Sequence, residues 1–198
     1  EDWASHQILD WCRDETVNRG QSPNDVDTFS VYYNDCEAPW IMCRHKDSSV
    51  SKQQIIDTFG RLPVGIREHV RHVGVWGSLE YAGFMSGLNV AFTSSFFNIW
   101  VVIHETMHAV DADAFRHFGS PFSSTDMWKD AYNQDSRVPA DNSHSSWAEH
   151  FADIAPHTIW NRNVPGGLEA VHPHWREVGN SIDLLTWAFG DENLTPGG

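Results

Sequence analysis

Apolar and polar positions alternate differently in the two halves of this chain. Residues 3–19 place Ile8, Leu9, Trp11, Cys12 and Thr16 at helical spacing, and Gly20 ends the run. Residues 21–27 are polar and turn-rich, whereas 28–33 and 40–44 concentrate β-branched and aromatic residues and are expected as strands. A short helix is expected over 51–59, stopped by Gly60, and a second helix over 67–73. Segments 73–76 and 88–93 read as strands. Helical periodicity then takes over at 97–116, 124–133, 146–158 and 174–188. Strands first and helices later predict an α+β fold, with helices packed on one side of a small sheet. The ends, 1–2 and 193–198, are expected to be loose.

The segment 97–116 has two faces. Ile99, Val102, Ile103, Thr106, Met107 and Val110 fall at i, i+3, i+4, i+7, i+8 and i+11, an almost wholly apolar stripe. His104, His108 and Asp111 fall opposite it. His104-Glu-Thr-Met-His108 matches H-E-x-x-H, which on a helix sets two imidazoles one turn apart, able to bind one metal. Glu105, turned by about 100°, lies beside such a metal, where a general base belongs. The competing reading is an amphipathic helix whose outer face carries two histidines by chance; the helical context favours the metal.

A hydrolytic zinc needs a third protein ligand and an open position. The extended pattern H-E-x-x-H-x-x-G-x-x-H fails, because Asp111 stands at the Gly position and Ala114 at the third His. Segment 146–158 is the best source. Trp147, Phe151, Ile154 and Thr158 form its packing stripe, and Glu149 and Asp153 lie one turn apart on the other side. Ser145 or Ser146 can cap its start, and Pro156 is expected to end or kink it. Glu149 is then the ligand, while Asp153 and Asp111 are acceptors for histidine N–H groups. Alternatively, Glu149 and Asp153 are first-turn acids favoured by the helix dipole. His117, Asp113 and Asp153 are the other candidates for third ligand.

Composition narrows the partners. The 198 residues suit one domain, and 40% apolar content with ten Trp and eleven Phe is globular. A formal charge of -14 counts against nucleic acid and anionic membranes. No run reaches the 18 apolar residues of a membrane span, since 88–103 is broken by Asn89, Thr93, Ser94, Ser95 and Asn98. The chain opens on Glu1 without a basic and hydrophobic leader, as expected of a mature product whose targeting segment has been removed. Of the three cysteines, Cys36 and Cys43 flank a short loop between two expected strands and are expected to be bridged, leaving Cys12 unpaired. Three buried thiols are the alternative. His69 and His72 read as a solvated helix face rather than a second metal site, and the many Trp as core.

His104-Glu-Thr-Met-His108-Ala-Val-Asp111 followed by Glu149-His-Phe-Ala-Asp153 resembles the lethal-factor-like branch of the gluzincin peptidases, in which H-E-x-x-H-A-V-D precedes E-[FY]-F-A-E. The chain is also similar to secreted fungal metallopeptidases of the conidiation-specific protein type. Pro39-Trp40, Cys43-Arg44-His45, Phe59-Gly-Arg-Leu-Pro-Val-Gly65, Asp135-Ser136 and Val138-Pro139 carry that likeness. The resemblance implies a single zincin-like domain over residues 1–198. Its small mixed sheet would be followed by an active-site helix with H-E-x-x-H and a second helix with the third ligand. It implies secretion, zinc held by His104, His108 and Glu149, and Glu105 as base. It also implies a tyrosine seven residues before the third ligand; here that residue is Asn142, with His144 and Tyr132 as substitute donors. Arg137 stands where those relatives imply a cysteine, which accounts for the odd cysteine count.

The expected function is that of a secreted zinc-dependent endopeptidase, a monomer acting on peptide or protein substrates, with Glu105 and His144 as catalytic residues. The alternatives are a metal-binding or protein-binding module of the same fold without proteolysis, and a zinc hydrolase of a non-peptide bond.

Overall fold

The computed structural model describes residues 1–78 and 80–196. Its elements run α1 (Asp10–Asn18), β1 (Val26–Val31), β2 (Trp40–His45), α2 (Lys52–Gly60), α3 (Val64–Arg67), β3 (His72–Trp76), β4 (Gly83–Ser86) and β5 (Asn89–Thr93). Four longer helices follow: α4 (Ile99–Asp113), α5 (Asp126–Gln134), α6 (Trp147–Asn163) and α7 (Gly179–Phe189). Among the described residues this is a mixed α+β fold of five strands and seven α-helices. By internal contacts the chain divides into two compact units. One comprises Glu1–Arg61 and Val70–Val102, the other Leu62–His69 and the chain from Ile103 onward. No described helix is long and apolar enough to cross a membrane.

The first unit is built on a sheet of order β1-β2-β3-β5-β4, in which β2, β3 and β5 run parallel and the two outer pairs are antiparallel. In β3 and β5 every residue after the first is buried, as a strand covered on both faces requires. That burial explains why 67–73 is not a helix: the helical turn stops at Arg67, and Val73 and Val75 join the sheet. Strand β4 escaped the sequence reading. It is made by a two-residue hairpin turn, Gly87-Leu88, with both φ positive at 57° and 69°. Leu88 is an unusual residue there, which hid the turn.

The disulfide corrects an expectation. Cys12 is bonded to Cys43, with Cα atoms 6.5 Å apart, and Cys36 is a half-buried free thiol. Cys36 sits in the loop before β2, whereas Cys43 lies three residues, about 10 Å, into the strand. There it packs beneath α1, against Cys12, Trp76 and Ala91, with Trp11 set edge-on to Trp76 at 5.9 Å. Helix α2 begins at a Ser51/Gln54 capping box, and its Phe59 packs on Tyr33 and Trp40.

The second unit has an aromatic core. Phe115, Phe122, Trp128 and Phe151 are all buried, with ring centroids 4.6 Å apart for Phe115–Phe122 and 4.9 Å for Trp128–Phe151. Asp135 caps α7, accepting from the backbone N–H groups of Asn180 at 2.8 Å and Ser181 at 3.1 Å. Helix α6 runs past Pro156 to Asn163, so the proline does not end it. Burial of Phe151, Ile154, Ala155, Pro156 and Thr158 keeps the helix continuous despite the missing N–H.

Candidate metal centre

Two helices present the chemistry, α6 and the part of α4 from Ile103 onward, both within the second unit. Helix α4 is capped by Asn98, whose Oδ1 accepts from the N–H groups of Trp100 at 2.9 Å and Val101 at 3.2 Å. The stripe at Val102, Ile103, Thr106, Met107 and Val110 is buried as expected, but so are Glu105, Ala109 and Asp111. Only His104, His108 and Ala112 of its central turns keep part of their surface open.

Helix α6 starts at Ser146, which accepts from Glu149 N at 3.1 Å. The sequence Ser146-Trp-Ala-Glu149 is a capping-box pattern, in which the glutamate side chain would return to the cap. Glu149 turns to the histidines instead. Its Oε2 lies 3.0 Å from His104 Nε2, and its Oε1 lies 3.5 Å from His108 Nε2. The two imidazoles stand edge to face with centroids 5.0 Å apart. Ligand atoms of His104, Glu105 and His108 all lie within 4.8 Å of one another.

These separations are of the order of those between donors of a tetrahedral zinc, although they run through different oxygens of Glu149. Ligand bonds of about 2.0–2.1 Å put neighbouring donors about 3.3 Å apart. The two Glu149–histidine distances bracket that value. Asp153 Oδ1 lies 2.9 Å from His104 Nδ1, the carboxylate–histidine pairing that directs Nε2 toward a metal.

Charge on the site follows the same contacts. Burial opposes protonation of His104, but hydrogen bonds with Asp153 and Glu149 outweigh it and raise its pKa to about 10. Hydrogen bonds from His104 and His108 hold the Glu149 carboxyl far below the usual range. Glu105, 7% exposed, is pushed up by burial, with the two imidazoles pulling it down. A carboxylate of raised basicity beside two imidazoles can take a proton from a nearby water.

The other candidates have surroundings of their own. Asp113 is engaged by His69 Nδ1 at 2.9 Å and by Arg116. His117 is exposed and packs on Phe118. Asp111 accepts from Ser123 N and Ser123 Oγ, at 2.7 and 2.6 Å, so it anchors the loop after α4 rather than a histidine. His144 is exposed at the end of the turn at 141–144 and makes no hydrogen bond among the described residues. Tyr132 sets its ring on His150, 4.7 Å between centroids. His150 itself is buried, and burial lowers its pKa to about 4.

Two contacts were not foreseen. Asn142 Nδ2 donates to Glu149 Oε2 at 2.5 Å, and Ser143 Oγ donates to Asp153 Oδ2 at 2.7 Å. Neither residue belongs to a pattern, although the spacing of seven from Asn142 to Glu149 marks the first.

A family model described as conidiation-specific protein Con-13 matches residues 1–166. Conidiation-specific protein 13 of Neurospora crassa is 29% identical over 160 residues, covering 77% of this chain and 46% of that protein. The chain thus spans less than half the length of that curated relative. No solved structure matches. These findings correct the likeness to lethal-factor-like gluzincin peptidases: the matching family is Con-13, not a peptidase family.

Proposed function

The chain belongs to the conidiation-specific protein Con-13 family, whose name assigns no chemistry, and we propose from the geometry that it is a zinc-dependent hydrolase acting on peptide bonds. The observation that carries this reading is the approach of Glu149 to both His104 Nε2 and His108 Nε2, with Glu105 beside them. His104, His108 and Glu149 would hold the metal. When bound, zinc supplies a Lewis acid that polarises a carbonyl and lowers the pKa of a coordinated water to about 7. Asp153 keeps the His104 ring proton on Nδ1. The Glu105 carboxylate takes a proton from the attacking water and delivers it to the leaving amine. The zincin-like arrangement, an H-E-x-x-H helix with a second helix supplying the third ligand, is part of this reading. Secretion is too, supported by the Cys12–Cys43 disulfide, a bond favoured in oxidising compartments.

A second reading keeps the metal without the hydrolysis. It is favoured by Asn142, whose amide is committed to Glu149 and cannot act as an acid. A peptide library screened with and without a zinc chelator separates the two. The hydrolase cleaves in a chelator-sensitive manner, and Glu105→Gln retains zinc while losing about 10²–10⁴-fold in rate. No chelator-sensitive cleavage by the wild type leaves the binding module; equal cleavage by Glu105→Gln removes Glu105 as base.

A further inference from the structure

We propose that Asn142 and Ser143 are positioning residues that set the affinity of the metal site, an inference that rests on the zinc reading above. Consecutive residues of one short turn hold the two carboxylates of α6 that face the imidazoles. Ser143 occupies Asp153 Oδ2 at 2.7 Å and leaves Oδ1 to His104 Nδ1 at 2.9 Å. Asn142 donates to Glu149 Oε2 at 2.5 Å, the oxygen that also meets His104 Nε2 at 3.0 Å, while Oε1 faces His108 at 3.5 Å.

A carboxylate rotates easily about its last torsion, which is broad and two-fold. Contacts to both oxygens of Asp153, and two hydrogen bonds to Oε2 of Glu149, remove that freedom. Asp153 is therefore held as a fixed acceptor for the Nδ1 proton of His104, which makes Nε2 the nitrogen that gives up its proton to a metal. Glu149 is likewise held in place before any metal arrives, which reduces the ordering cost of binding.

The turn that does this is itself pinned. Ser143 N donates to Ala140 O at 3.1 Å, and Ser145 donates to Asn142 O from both N and Oγ, at 2.9 and 2.7 Å. Ser143 is 2% exposed. Helix capping does not account for the contacts, because Ser146 already caps α6. What the two side chains add is orientation of the carboxylates.

The test is zinc affinity, measured by competition with a chromophoric chelator, for the wild-type chain, Asn142→Ala, Ser143→Ala and Ser143→Thr. Loss of such an orienting partner weakens metal binding about ten- to a hundredfold. That loss is expected for both Ala variants, with Ser143→Thr closer to wild type because it keeps the hydroxyl. Asn142 is exposed, so Asn142→Ala should keep the melting temperature of the metal-free protein while losing affinity. Long-range ¹H–¹⁵N spectra of the zinc-bound protein should show the His104 Nδ1 proton protected from exchange with solvent in the wild type and exchanging faster in Ser143→Ala, where Asp153 is free to turn. A purely structural role for Ser143 would leave that signature unmoved. Zinc affinity equal across wild type, Asn142→Ala and Ser143→Ala overturns the inference while the zinc reading stands. A wild type that binds no zinc overturns that reading itself, and this inference with it.

Discussion

Asp153 holds Nδ1 of His104 at 2.9 Å, and Glu149, one turn earlier on the same helix, holds Nε2 of that ring at 3.0 Å. Both nitrogens of one imidazole therefore face carboxylates, and without a metal the ring is best served by carrying a charge. Burial works against this, yet the two hydrogen bonds raise the pKa to about 10.

A proton balance follows. The raised pKa contributes stability to the metal-free fold that is fully present below the unfolded value of 6.5 and is lost as pH climbs through about 10. A histidine must be neutral to ligate. At pH 7 zinc should therefore displace about one proton from His104, and its apparent affinity should rise about tenfold per pH unit up to about pH 10. Calorimetry in two buffers of different ionisation enthalpy measures the released proton. Zinc binding with no proton release at pH 7 would mean that His104 is neutral before the metal arrives.

The disulfide makes a separate prediction. Non-reducing peptide mapping should join the Cys12 and Cys43 peptides and leave Cys36 open to alkylation. Closing a separation of 31 residues stabilises the fold by about 3–4 kcal/mol in the chain-entropy model. Cys12→Ser should lower stability by about that amount in denaturant titrations, and Cys36→Ser should change it little.

The cluster of His104, Glu105, His108, Glu149 and Asp153 was more legible in the sequence than the frame around it. His104, Glu105 and His108 announce themselves because a helix turns five residues into one face. Glu149 and Asp153 follow from the same periodicity. The strand at 83–86 was hidden because its turn uses Leu88 at positive φ, where glycine or asparagine is the usual signal. The bond to Cys12 was hidden because it joins α1 to β2 across 31 residues, while proximity in sequence pointed to Cys36. Pro156 does not end α6, because local propensity yields to packing when the helix around it is buried. Ser143 could not be found from sequence at all, because a hydrogen bond between a turn and a helix leaves no periodic trace.

Phe151 links core and site. It is fully buried between Trp128 at 4.9 Å, Phe115 at 6.0 Å and Phe122 at 6.2 Å, and it lies midway between Glu149 and Asp153 in sequence. Phe151→Ala should cost about 3–5 kcal/mol in chemical denaturation. It should also weaken zinc binding, because α6 then loses the packing that aims both carboxylates. Unchanged stability would show that α6 is held by something other than this aromatic cluster.

Metal content after chelation and re-addition of zinc tests the central claim most directly. Elemental analysis of the wild-type chain should return one zinc per molecule, and Glu149→Ala should fall well below one under the same dialysis. A wild type that retains no zinc, or a Glu149→Ala variant that retains one per chain with unchanged affinity, would contradict a site built from His104, His108 and Glu149.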